Sequence, residues 1–338
     1  MTELIECVPN FSEGVNKEVI AAIANRVRDS SDVRVLGIEP DPDYNRTVLT
    51  FAGSPDGVFA GACEVMRASS ELIDMREHHG EHPRLGAVDV CPFIPLGDTS
   101  MEVCIDLAQR LAEFVGNELN LPAYLYGLSA KKPEHKLLSN IRKGEYEALE
   151  NRFNNKDEFI PDFGPCEWNE KVSRFGATVI GAREILIAYN VNIDEQDARV
   201  AKSIGSLVRS SGRLIKNQGQ SMRTKGLLEM VQGMGVTLEK HKISQVSMNL
   251  RDYNITGLHH AFVTCQSLAN EHNTRVLGSE IVGLVPLAAM LDAGKWFLDN
   301  ESCSENEYVE AAINGLGLSY LEDFDPNVRI IEWAIRND

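Results

Sequence analysis

The sequence predicts an α/β (α+β) fold in two subdomains, each a mixed or antiparallel sheet covered by helices. Three observations predict it. Short extended runs alternate with helical periodicity along most of the chain. The 338 residues exceed what one core usually carries, about 250–300. The second half orders its elements β-α-β-β-α-β, the ferredoxin-like split βαβ arrangement. Boundaries are expected at 1–180 and 181–300, with a helical extension over 301–338.

Taken in order, Leu4 to Val8 reads as a strand, and Asn16 caps a helix with Val19, Ile20, Ile23 and Val27 on its apolar face. Val33 to Ile38 is the next strand. Residues 40–44, with Pro40 and Pro42, read as a loop because neither proline can donate to a ladder. Arg46 to Phe51 is extended again, and Pro55 opens a helix to about Ile73. Val88 to Ile94 is an apolar strand. A helix from Thr99 or Ser100 carries Val103, Leu107, Leu111 and Phe114, and Ala123 to Leu125 is a short strand. Periodicity then loosens over 127–176, with a helix near 134–142 and a long loop holding Pro161 to Pro165; such stretches cover sites or link domains.

In the second half Ile185 to Val191 is a strand and Asp194 a helix cap. Leu227 to Leu238 and Ile243 to Leu250 form two further strands. A helix over Leu258 to Glu271 leads to the strand Arg275 to Val282. The first half shares this opening order. Helical material follows Pro286, and the acidic stretch 301–310 reads as a solvated face.

Charge narrows the function. Lys and Arg number 33 against 50 Asp and Glu, a net −17, which repels nucleic acid and anionic lipid. No run of about 18 apolar residues is present, so no membrane span is expected. The seven cysteines are scattered, with no CxxC pair, and the N-terminus lacks a signal-peptide pattern; a cytoplasmic protein with reduced thiols is expected. Walker, Rossmann and GxSxG motifs are missing.

Residues 77–84 form the densest chemical cluster, Glu-His-His-Gly-Glu-His-Pro-Arg, with three of the eight histidines within five positions. Three readings are open: a polar helix terminus, a metal site using His78 or His79 with His82, and an acid–base histidine. His82 is the preferred candidate for the last, because Pro83 restricts its backbone. Asp41, Asp43, Asn45 and Arg46 form a second polar group. An arginine there suits a carboxylate ligand, and an Asx-turn with a surface ion pair is the alternative. Asp89 interrupts an apolar strand, where it either orients a histidine or receives local hydrogen bonds. Between Arg199 and Lys225 lie seven basic residues and no acidic one, including Lys216, Arg223 and Lys225. This suggests an anion-facing flap for a polycarboxylate, or the outer face of a helix.

Several segments resemble the glutamate formimidoyltransferase family, including the formiminotransferase part of bifunctional formiminotransferase-cyclodeaminases. They are Glu6-Cys-Val-Pro-Asn-Phe-Ser-Glu-Gly14, Asn45-Arg-Thr-Val48 and the long run Gly80-Glu-His-Pro-Arg-Leu-Gly-Ala-Val-Asp-Val-Cys-Pro-Phe-Ile-Pro95. Also similar are Tyr124-Leu-Tyr126, Arg142-Lys-Gly-Glu-Tyr-Glu147, Pro161-Asp-Phe-Gly-Pro165, Phe175-Gly-Ala-Thr178, Gln245-Val-Ser-Met-Asn249 and Val282-Gly-Leu-Val-Pro286. The resemblance covers about residues 1–300.

It implies transfer of a formimino group from N-formimino-L-glutamate to tetrahydrofolate in histidine breakdown, a homodimer, and folate held between two α/β subdomains. It places the catalytic histidine at His82. It implies a folate-contacting loop over about 162–170, hence Asp162, Phe163, Gly164 and Pro165, followed by Gly176. Asp89 is expected to assist His82. Asn45, Arg46 and Arg84 are expected to bind the glutamate part of the donor. Lys216, Arg223 and Lys225 are expected to hold the polyglutamate tail of the folate. A chain of this length has no room for the fused cyclodeaminase region, so a separate cyclodeaminase is expected. Formyl transfer with 5-formyltetrahydrofolate, non-catalytic folate binding and metal-dependent hydrolysis are the competing functions.

Overall fold

The first unit of the chain starts as an interrupted strand. β1 (Leu4–Cys7) and β2 (Asn10–Phe11) are separated by Val8 and Pro9, and both segments lie between the same two neighbours. These are β4 (Arg46–Gly53) and β5 (Val88–Leu96). The computed structural model describes residues 3–30, 32–42, 44–80, 83–155, 160–217, 220–298 and 302–336. Contacts divide the chain into Met1–Arg183 and Glu184–Asp338.

Among the described residues of the first unit, β3 (Val33–Asp41) pairs antiparallel with β4 at the sheet edge. On the far side of β5 come β7 (Thr178–Ala182) and then β6 (Ala123–Gly127), both parallel to their neighbours. The part from β1 to β5 therefore repeats the split βαβ order, and the last two strands extend it. Helices Lys17–Ser30, Pro55–Leu72 and Met101–Asn117 cover one face. Their apolar positions, among them Ile23, Val27, Val58, Met66, Leu107 and Leu111, share one core with Phe51 and Phe93. A smaller core of Leu85, Val90, Tyr124, Ile141, Leu149, Phe153 and Val172 lies under the segment before β7.

Two local expectations change. Pro40 lies inside β3, opposite Thr47, where only one neighbour needs donors and a proline is tolerated. The helix expected near 134–142 is split into Pro133–Lys136 and Leu138–Ile141 by the extended backbone of Leu137.

In the second unit β8 (Ile187–Ile193), β11 (Val231–Leu238), β12 (Ile243–Leu250) and β13 (Val276–Val282) form an antiparallel sheet in the order β11-β12-β8-β13. Helices Ala198–Val208 and Leu258–Glu271 complete the predicted ferredoxin-like unit. Close packing of the first helix needs a glycine on β11. A Cβ at Gly235 would lie 2.1 Å from the Lys202 nitrogen.

Between this helix and β11 the chain makes a separate hairpin, β9 (Arg213–Asn217) with β10 (Gln220–Thr224). The strand expected from Leu227 begins at Val231. Asp197, not Asp194, caps the helix by accepting from the Arg199 amide, while Asp194 accepts from Arg275. Helices Leu287–Leu298 and Glu305–Leu316 follow. Val309, Ala312, Leu316 and Ile330 lie in the same core as β8 and β12, so residues beyond 301 are integral to this unit.

His259, in the first turn of Leu258–Glu271, stacks on Trp296 with centroids 5.1 Å apart. Burial pushes its imidazole down to about 4, His260 adds to the effect, and Asp292 opposes it. The unfolded ring gains a proton near pH 6.5 and the folded ring does not until about 4. This contribution to stability is present above pH 6.5 and is lost as pH falls through that window. Urea midpoints should therefore drop more between pH 7.5 and about 4.5 for the native chain than for His259→Phe. Equal drops would assign the acid sensitivity to other groups.

Candidate active site

The motif residues of the first unit gather where the β3–β4 turn, the chain after β2 and the segments preceding β5 and β7 meet. Asn45 makes the turn. It holds a left-handed φ of 47°, which asparagine tolerates better than most residues. Its side chain accepts from the Gly14 amide at 2.9 Å and donates to the His79 carbonyl at 2.9 Å. Gly80 docks on the same turn, where a Cβ would lie 2.3 Å from the Tyr44 carbonyl oxygen. Asn45 thus ties three loops together through its side chain, using one acceptor position and one N–H of the amide. Asp43, Glu81 and His82 lie outside the described residues.

One ion cluster centres on Asp89, which is 1% exposed. One oxygen, Oδ2, accepts from Arg46 Nη1 at 2.7 Å and also from Arg142 Nη2. The other, Oδ1, accepts from Arg142 Nε at 3.1 Å and the Leu85 amide at 3.0 Å. Arg46 also donates to Asn10 Oδ1 through Nε at 3.1 Å and Nη2 at 2.8 Å. Burial lowers the pKa of Arg46, Asp89 opposes that and the Arg142 cation adds to it. Asp89 anchors two arginines and one backbone amide.

A second cluster centres on Arg84. Its guanidinium donates to Glu147 at 2.6 and 2.9 Å, to Glu145 at 3.2 Å, and through Nε to His78 Nδ1 at 3.3 Å. Burial opposes the Arg84 cation, but Glu147 and Glu145 outweigh it and raise its pKa. His78 Nδ1 must be the acceptor, so Nε2 carries the proton given to the Asn45 carbonyl at 2.8 Å. Burial lowers the His78 pKa and the Arg84 cation contributes, against the Asn45 hydrogen bond. His78 is a neutral connector with both ring nitrogens engaged. Arg84, expected to grip a carboxylate of the substrate, directs four of its five N–H groups to His78 and two of the protein's own carboxylates.

The residues expected to contact folate divide between the units. In the first, Asp162 accepts from the Leu125 amide at 2.8 Å and meets His135 Nδ1 at 3.2 Å. Burial raises the Asp162 pKa, but His135 and the Leu125 amide outweigh it, and the carboxyl is held below its ordinary value. Phe163 pairs with Ala123 and sits against Gly116. Gly164, at φ +82°, approaches the Leu121 carbonyl and is followed by Pro165. Gly176, at φ +81°, lies opposite Gly86 and brings the segment before β7 onto the motif.

In the second unit Arg223 and Lys225 are exposed, Arg223 donating to the Ser211 carbonyl at 3.0 Å and Lys225 pairing with Glu229 at 2.5 Å. Lys216 lies in β9, opposite Ser221. Sequence reasoning had no role for Asn10, Arg142, Glu145 or Glu147, and weighed His78 only as a metal ligand. The segment Arg142 to Glu147, dense in charge inside a loose stretch, was their available signal.

Comparison with known proteins places these sites in context. Residues 4–183 match the family model described as the formiminotransferase domain, N-terminal subdomain, and residues 188–336 match the formiminotransferase domain. The chain is 43% identical over 341 residues to a formimidoyltransferase-cyclodeaminase of Rattus norvegicus, covering 99% of this chain and 60% of that protein. It is 38% identical to a glutamate formimidoyltransferase of Thermoplasma acidophilum, covering 91% of this chain and 96% of that one. A glutamate formimidoyltransferase of Streptococcus pyogenes is 35% identical, with 91% and 98% covered. The chain thus spans about 60% of the length of the rat relative and nearly all of the two shorter ones.

Proposed function

The chain belongs to the formiminotransferase family, and from that premise we propose that it moves the formimino group of N-formimino-L-glutamate to tetrahydrofolate, releasing L-glutamate. The observation that carries this reading is the match along nearly the whole of two relatives named glutamate formimidoyltransferase. Attack by the folate N5 on the formimino carbon gives a tetrahedral intermediate bearing nitrogen substituents. A base must take the N5 proton and an acid must supply one to the departing glutamate nitrogen. One imidazole can do both in turn, as neutral base and then as imidazolium.

His82 is the residue we assign to this task. Among the histidines of its cluster, His78 has both ring nitrogens committed. The segment 162–165 with Gly176 is proposed to lie against the folate, and Lys216, Arg223 and Lys225 to hold its polyglutamate tail. A homodimer in the cytoplasm is part of the same reading. A cyclodeaminase is the activity expected to consume the product.

Purified chain mixed with tetrahydrofolate and N-formimino-L-glutamate is expected to release glutamate and formimidoyl-folate one for one, measured by mass spectrometry. Turnover only with 5-formyltetrahydrofolate and glutamate would move the chain to formyl transfer. Folate binding without turnover of either pair would remove the enzyme reading.

A further inference from the structure

We infer that Asp162 and His135 are positioning residues for the loop at 162–165: the carboxylate clips that loop to the outer edge of β6, and the imidazole holds the carboxylate there. The inference rests on the reading that this loop lies against the folate, and it gives Asp162 a task within the protein.

β6 is the last strand of its sheet, with β7 on one side. The other edge of such a strand presents every second amide and carbonyl outward, and these need partners. The loop supplies them. The Ala123 amide donates to the Phe163 carbonyl at 3.0 Å, and the Ala123 carbonyl accepts from the Phe163 amide at 3.1 Å. Continuing this antiparallel register would set Pro161 opposite Leu125, and a proline has no amide to return. Asp162 Oδ2 takes the Leu125 amide instead, at 2.8 Å.

The side chain of Asp162 is 4% exposed, and the same Oδ2 accepts from His135 Nδ1 at 3.2 Å. His135 is fully buried in the turn Pro133–Lys136 and meets the Tyr124 ring edge-on, with centroids 5.6 Å apart. Two further contacts come from the residues leading into that turn. Lys132 Nζ donates to the Ile160 carbonyl at 3.2 Å, and Lys131 Nζ lies 4.5 Å from the Phe163 ring centroid. Beyond the clip the loop is packed down, since a Cβ on Gly164 would lie 2.1 Å from the Leu121 carbonyl oxygen. The loop is thus fixed at 160, 162, 163 and 164, with Gly164 exposed. A ligand that meets it has little ordering left to impose, which favours binding.

Asp162→Ala removes the clip and is expected to raise the KM for tetrahydrofolate roughly 10- to 100-fold. The kcat and the KM for N-formimino-L-glutamate should stay within a few-fold of native. Asp162→Asn keeps an oxygen for the Leu125 amide and should recover part of the loss. His135→Phe keeps a ring against Tyr124 and should fall between native and Asp162→Ala. Calorimetric binding of 5-formyltetrahydrofolate reads the same loop without turnover, with circular dichroism as the control for folding. Should the buried substitutions unfold the chain, Lys131→Met removes an exposed contact to Phe163 and is expected to weaken binding about two- to fivefold.

Gly164→Ala disturbs the loop itself and separates the two readings. Weakened binding there, with native binding in Asp162→Ala, His135→Phe and Lys131→Met, would keep the loop on the folate and overturn the positioning. Native binding in all four would take the loop away from the folate, and the positioning inference with it.

Discussion

His82→Ala is expected to slow formimino transfer by roughly 100- to 10,000-fold, the range set by loss of a positioned acid–base group, while the melting temperature stays near that of the native chain. The reasoning is one of elimination as well as resemblance. A proton shuttle needs a ring nitrogen whose lone pair is available and whose proton can leave. His78 uses Nδ1 to accept from Arg84 and Nε2 to donate to Asn45. His135 is fully buried against Asp162. The measurement is single-turnover release of glutamate, with circular dichroism as the control for folding. Partial recovery on adding free imidazole would show that an imidazole is what the variant lacks. A variant within a few-fold of native activity would take the role from His82, and a collapse in His78→Gln at preserved stability would pass it to His78.

Much of this architecture is legible in the sequence because its elements are long and periodic. Helices Pro55–Leu72 and Leu258–Glu271 and the β-α-β-β-α-β order of the second half follow from apolar spacing and caps. Less legible was the role of a polar residue once its neighbours are fixed. Arg46, Arg84 and Arg142 carry the same guanidinium, and sequence ranked two of them as substrate clamps by proximity to the motif. Their tasks differ because Asp89 lies between Arg46 and Arg142, while Glu145 and Glu147 surround Arg84. That partition depends on the loop carrying residues 142–147 returning to the segment before β5. The Tyr146 amide donates to the Arg84 carbonyl at 2.9 Å. Loops without periodicity give no sequence signal for such a return. Pro40 is a local case, since only pairing on one side makes a strand proline acceptable.

Asp89→Asn is expected to lower unfolding stability by about 3–5 kcal/mol, the cost of removing one partner from a buried ion cluster. The amide keeps the size of the carboxyl and one acceptor oxygen, so packing around β5 changes little. What changes is charge. Arg46 and Arg142, both attached to Asp89 in the native chain, would both lose that charged partner. The Leu85 amide would also lose a charged acceptor or share a neutral one. Guanidinium chloride would screen the effect, so urea is the denaturant to use, at low and at high salt. Adding Arg142→Met to Asp89→Asn removes one of the two cations that Asp89 held and should return part of the lost stability, giving a double-mutant coupling of roughly 1–3 kcal/mol. Simple additivity of the two changes, or a loss below about 1 kcal/mol for Asp89→Asn, would mean that water or chain movement disperses the surplus charge. In that case the buried carboxylate positions the two arginines without being the main anion that holds them.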